Sequence, residues 1–148
     1  MSINLTQFQA DNLLAMEKHR ANNETYRFPN LGGRISAPLV APDGSENFYL
    51  DIHRGRVNLV KGTFQNRARS VIILARLDFG GAPHRNPDDE EIPCPHLHRY
   101  REGYGDRWAE KAPADVFRTP DDHWQTFLDF MVFCNVTRPP EFNRGLFP

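Results

Sequence analysis

Two cysteines, Cys94 and Cys134, are all that the 148 residues contain. That is too few for a disulfide framework, and a reducing cytoplasm is the expected compartment. Neither sign of charge dominates: 18 basic and 19 acidic side chains leave a net charge of −1. This excludes a strongly basic nucleic-acid binder and an acidic nucleic-acid mimic. No apolar run approaches the roughly 20 residues of a membrane span. Met1-Ser2-Ile3-Asn4 has neither the basic start nor the apolar stretch of a signal peptide, so no membrane contact is expected. Also missing are a Gly-x-Ser-x-Gly elbow, a P-loop, a dinucleotide fingerprint and a Cys-x-x-Cys pair. Internal repeats and low-complexity segments are absent as well.

What is present is the ordinary globular mix, 39% hydrophobic and 25% charged, with eleven phenylalanines and twelve prolines. Thr6 with Gln9 makes a capping-box signature, with Phe8, Leu13 and Met16 expected on one helical face and Asn22-Asn23 closing the helix. The period then changes. Residues 35–40 and 48–52 read as strands around the turn Pro42-Asp43-Gly44, and residues 57–64 and 71–79 as two more. The last is the most apolar and is expected at the sheet centre. Residues 84–95 read as a loop and residues 96–100 as a short strand. Thr119-Pro120 reads as the start of a second helix, with Trp124, Phe127, Phe130 and Met131 in its apolar stripe. Residues 137–148 read as an irregular tail. The order predicts a single α+β domain over residues 1–148: a mainly antiparallel, meandering sheet with an N-terminal and a C-terminal helix packed on it.

Two stretches carry chemistry. Residues 51–72 hold five basic side chains, Arg54, Arg56, Lys61, Arg67 and Arg69, against the single acid Asp51. Arg54-Gly55-Arg56 reads as a turn presenting two guanidinium groups, and with Lys61 it suits phosphate. The bland reading is a strand edge kept from self-pairing by charge. His96-Leu97-His98 is the second stretch. On a strand both imidazoles share a face and Leu97 enters the core, with Tyr100 next in the same row. Glu102, Asp106 and His84 are the nearby acids and imidazole. A solvated surface pair is the competing explanation.

Three mechanisms fit this row. In the first, His96 and His98, with Tyr100 and Glu102, perform acid–base catalysis on RNA, Arg54, Arg56 and Lys61 hold phosphate, and no metal or other cofactor is needed. In the second, the two histidines bind a divalent cation with Glu102, Asp106 or His84. No third ligand stands at regular spacing, so no tightly bound transition ion is expected. In the third, Tyr100, Arg101, Tyr104, Arg107 and Trp108 recognise a protein partner. Cys94, between Pro93 and Pro95, and Cys134, on an apolar helix, read as structural.

The segments LDIHRGRVNLVKGTFQNR, EEIPCPHLHRYREGYGDRWA and LDFMVFCNV resemble an uncharacterised family of small bacterial and phage-associated proteins of unknown function. The pattern Pro-His-x-His-x-Tyr is similar to small domains of toxin–antitoxin-type pairs. His-hydrophobic-His also resembles the motif of rolling-circle replication nucleases, but no tyrosine here is followed three residues later by lysine, as that family requires. The expectation is therefore a toxin-like, RNA-acting ribonuclease. The alternative is a non-enzymatic inhibitor or adaptor in a phage or defence setting. Expected partners are RNA, or a protein such as an antitoxin or a defence or phage component.

Overall fold

The computed structural model describes residues 4–57 and 60–144. Thr6 caps helix α1 (Gln7–Ala15) with the reciprocal Gln9 bonds that the sequence signature implies. Ala10 and Leu13 are its buried residues, whereas Phe8 is 75% exposed, so Phe8 does not belong to the inward face. The chain straightens soon after, into β1 (Lys18–Arg20) and β2 (Thr25–Arg27), before the expected stop at Asn22-Asn23. Then come β3 (Arg34–Val40), β4 (Asn47–Arg54), β5 (Gly62–Ala68) and β6 (Ile72–Phe79). The short β7 (His84–Arg85) and β8 (Glu91–Ile92) pair inside the expected loop. They precede β9 (His96–Arg99), β10 (Ala109–Lys111) and helix α2 (His123–Phe133). Asp122, not Thr119, caps α2, its carboxylate accepting the Gln125 N–H. Strands β11 (Val136–Arg138) and β12 (Glu141–Asn143) occupy the tail expected to be irregular.

The third strand also departs from expectation. It starts at Gly62 rather than Val57, and Val57 and Val60 are exposed. Asn58 and Leu59 of that segment, like residues 1–3 and 145–148, lie outside the described residues.

Eight strands form one curled sheet in the order β10-β9-β6-β5-β4-β3-β1-β11, antiparallel except for the parallel pair β1 with β11. This is the α+β architecture the sequence implied. One face packs against both helices: Phe48, Leu50, Ile52, Phe64, Leu77 and Leu97 join Leu13, Phe127 and Phe130 in one apolar core. Phe64 is central, its ring centroid 5.2 Å from Phe127 and 4.9 Å from Phe79.

The other face is polar, because period-two alternation runs along the middle strands, interrupted in β6 at Leu74 and Ala75. Direct register pairs align Arg34, His53, Thr63, Asp78, His96 and Lys111 in one row across β3, β4, β5, β6, β9 and β10. Beside it runs Ser36, Asp51, Gln65, Arg76, His98 and Ala109.

The outer edge of β10 is covered by a side chain acting as a strand. Buried Asn86 donates from Nδ2 to the Ala109 carbonyl (2.9 Å), and its Oδ1 accepts the Ala109 N–H (2.8 Å). Asn86→Ala leaves both backbone groups unpaired, at a cost of about 1–3 kcal/mol. Urea denaturation should read this as a lower midpoint with an unchanged slope.

Candidate functional site

Strand β6 supplies two side chains that its apolar reading hid. Arg76 and Asp78 stand two apart on the polar face, opposite His98 and His96 of β9. Leu97, between the histidines, is buried in the core, as alternation requires. Asp78 Oδ2 lies 3.3 Å from His96 Nε2 and 3.2 Å from His98 Nε2. Its Oδ1 accepts the Thr63 hydroxyl at 2.8 Å. The Arg76 guanidinium reaches Asp78 (3.2 Å), the Asp106 carboxylate (2.7 Å) and His98 Nε2 (3.1 Å).

The tautomer of His98 follows from its other nitrogen. Nδ1 lies 2.7 Å from the Asp106 carbonyl, an acceptor, so Nδ1 carries the proton. In the neutral ring, Nε2 then offers a lone pair to Arg76. In the imidazolium, Nε2 donates to Asp78 and turns a proton toward Arg76. The two contacts at Nε2 therefore compete, and the proton count of His98 decides between them.

A third imidazole arrives from β7. His84 is half-buried, and its Nε2 is 2.8 Å from the Arg107 carbonyl, which fixes the proton on Nε2 and leaves Nδ1 as the basic nitrogen. Ring centroids are 4.6 Å apart for His84–His98, 5.8 Å for His84–His96 and 5.1 Å for His96–His98. Burial alone would raise the Asp78 carboxyl. Bonds from His96, His98 and Thr63 and the charge of Arg76 outweigh it and hold Asp78 far below the ordinary range.

Cys94 stands beside the cluster. Its Sγ lies 3.4 Å from His96 Nδ1. Burial and the Asp78 charge push the thiol up, against the Gly81 N–H and Lys61. Cys134 is core, its thiol pushed up to about 12 by burial.

The expected phosphate clamp separates. Arg54 shares the parity of Leu50 and Ile52, so it turns to the core side of β4, where it donates to the Pro29 carbonyl (3.2 Å) and lies over Phe28. Arg56 packs on Gly32. Neither joins the histidines. Lys61 has the parity of Thr63, is exposed, and acts on the Cys94 thiol beside His96. Lys111, opposite His96 in register, is a cation not foreseen.

Tyr100 does not continue the histidine row. Strand β9 ends at Arg99, opposite Ala75, and the Tyr100 N–H donates to the carbonyl of Leu74, the extra residue by which β6 outnumbers β5. There the chain turns, and the phenol enters the core, where it accepts the Leu5 N–H (2.7 Å) and donates to the Leu5 carbonyl (3.2 Å). Glu102 instead caps α1, accepting the Gln7 N–H at 2.8 Å. Neither meets the imidazoles.

Arg101, Tyr104, Arg107 and Trp108 do cluster. Arg101 lies 4.1 Å over Trp108, Arg107 lies 5.5 Å over Tyr104, and the two rings meet edge-on at 5.6 Å. The same loop supplies the Asp106 and Arg107 carbonyls that orient His98 and His84.

Asp78, His96 and His98 are also the residues able to hold a metal, since one donor atom from each lies within 4.8 Å of the others. Two imidazoles and a carboxylate suit zinc, nickel or manganese better than calcium. Asp78 is thus a candidate third donor that no regular spacing in the sequence offered. Its signal was legible as two charged residues at period two within an apolar strand.

A curled antiparallel sheet with helices on one face and a histidine–carboxylate–guanidinium cluster on the other defines an α+β domain with a sheet-face site. The chain belongs to DUF6978, a family of unknown function, which it matches over residues 5–136. No curated protein and no solved structure matches it. Among the described residues, no helix is long and apolar enough to cross a membrane.

Proposed function

We propose that this protein is a toxin-like ribonuclease that cleaves RNA by acid–base catalysis at His84, His96 and His98. The observation that carries the reading is the convergence of three imidazoles from two chain segments, two of them on one carboxylate, with ring centroids 4.6–5.8 Å apart. His84 is the half-buried member, and its Nδ1 takes the proton of a ribose 2′-hydroxyl as that oxygen attacks phosphorus. A protonated imidazole of the cluster returns a proton to the departing 5′-oxygen. Arg76, Lys61 and Lys111 supply positive charge on this face for the phosphorane.

A second reading, a divalent-metal nuclease, is favoured by the spacing of the Asp78, His96 and His98 donors. It ranks lower because the Arg76 guanidinium already neutralises Asp78 at 3.2 Å.

Purified protein incubated with single-stranded RNA in EDTA should produce 2′,3′-cyclic phosphate ends. His84→Ala should slow this by about 100-fold or more. Expression in bacteria without a partner should arrest growth, and His96→Ala with His98→Ala should relieve it. Cleavage that vanishes in EDTA and returns with manganese or zinc would transfer the proposal to the metal reading. Neither cleavage nor growth arrest under any condition would end both.

A further inference from the structure

The polar face holds a groove next to the histidine cluster, with a volume of about 450 Å³, lined by Arg34, Ser36, Asp51, His53, Thr63, Gln65 and Arg67. That volume lies within the range of small-ligand sites. Thr63 belongs to both places, since it lines the groove and donates to Asp78 at 2.8 Å. The groove and the cluster therefore meet at Thr63.

Its charges are not equally committed. Asp51 accepts Arg67 Nη2 (2.9 Å), the Ser36 hydroxyl (2.6 Å) and Gln65 Nε2 (2.7 Å). Burial acts to raise its carboxyl, and these partners overcome that and hold it below the ordinary value. Arg67 is spent on the same contact. Arg34 and His53, paired directly across β3 and β4, have no ion pair among the described residues. The groove is left with an exposed guanidinium and a half-buried imidazole at its far end. A guanidinium with no carboxylate partner, beside an imidazole, is a donor set for phosphate oxygens.

We infer that this groove binds the substrate strand about two nucleotides from the scissile phosphate, with a phosphate held by Arg34 and His53. The inference rests on the RNA-cleaving reading and names where the rest of the substrate lies. His53 and His96 occupy the same row, three strand spacings apart, about 14 Å. That separation is too long for both to touch one phosphate. It fits a single strand crossing the sheet along the row, with the reacting phosphate at the histidines and one about two nucleotides away in the groove. Ser36 and Gln65 donate to Asp51, so the groove floor is held by its own bonds. Binding through the groove therefore adds affinity without entering the chemical step.

The test uses the full chain and a non-cleavable 2′-O-methyl RNA decamer, with affinity read by fluorescence anisotropy. Arg34→Ala with His53→Gln should weaken binding by about tenfold or more and flatten its salt dependence. On cleavable RNA the same variant should raise KM by a similar factor and change kcat by less than about twofold. Wild-type binding and cleavage with an unaffected variant would overturn the groove and leave the ribonuclease intact. Wild-type binding without cleavage, weakened in the variant, would sustain the groove and end the acid–base reading. No binding of the decamer by the wild type would overturn the groove assignment.

Discussion

Asp78→Asn is expected to cut RNA cleavage by at least about 100-fold, a larger loss than the groove variant should show. The amide keeps the size of the side chain and can still accept from Thr63. What it loses is the charge that Arg76, His96 and His98 share. Without it the two Nε2 atoms lose the anionic acceptor they share, and the cluster loses the group that orders it for proton transfer. The substitution should also cost about 3–5 kcal/mol, because Arg76 then has only Asp106 beside a half-buried guanidinium. The sign of the pH dependence follows from the depressed carboxyl. Its contribution to stability is complete above the unfolded pKa, about 4, and drains away as pH falls below it. Acid unfolding of the wild type should therefore be steeper than that of the variant. Equal acid profiles for the two would show that Asp78 is not the group held ionised by the cluster.

Lys18→Ala should be among the most destabilising substitutions in the chain, at about 3–5 kcal/mol, against a total stability of about 5–15 kcal/mol for a domain. Lys18 is fully buried. Its ammonium donates to the carbonyls of Leu14 (2.8 Å), Met16 (2.9 Å) and Cys134 (2.7 Å) and lies 4.8 Å over the Phe48 ring. Those carbonyls belong to the C-terminal ends of α1 and α2, where helix dipoles favour a cation. One side chain thus ties both helix ends to the sheet, and its removal takes the ammonium from three carbonyls. Burial lowers the Lys18 pKa from 10.5 to about 8. Between those values the folded state binds fewer protons than the unfolded chain, so this group makes stability rise with pH across that window. Lys18→Met keeps the stem but should lose both the carbonyl bonds and that rise. Urea midpoints for wild type and variant at pH 7 and pH 9.5 check both statements.

Local rules accounted for much of what was legible. The capping box at Thr6 and Gln9, the two-residue alternation of β3, β4 and β9, and the shared face of His96 and His98 each depend on neighbours a few residues away. They were readable for that reason. Parity was also enough to separate Arg54 from Lys61, although composition made residues 51–72 look like one basic patch. Phe8 and Tyr100 went astray because a helix face is set by what packs on it, and a strand's alternation holds only until the strand ends.

The site itself lay beyond such reasoning. Asp78 is 18 residues from His96, and Arg76 is 22 from His98. Between them the chain leaves the sheet for the β7–β8 excursion before β9 returns beside β6. The sequence alone established which side chains could share the polar face of each strand, because that depends only on the two-residue repeat of an extended backbone. Tertiary structure decided which strands lie side by side. That choice follows from how the whole sheet buries Phe64, Leu77 and Leu97 in the core it shares with the helices, and it brings Asp78 between two histidines.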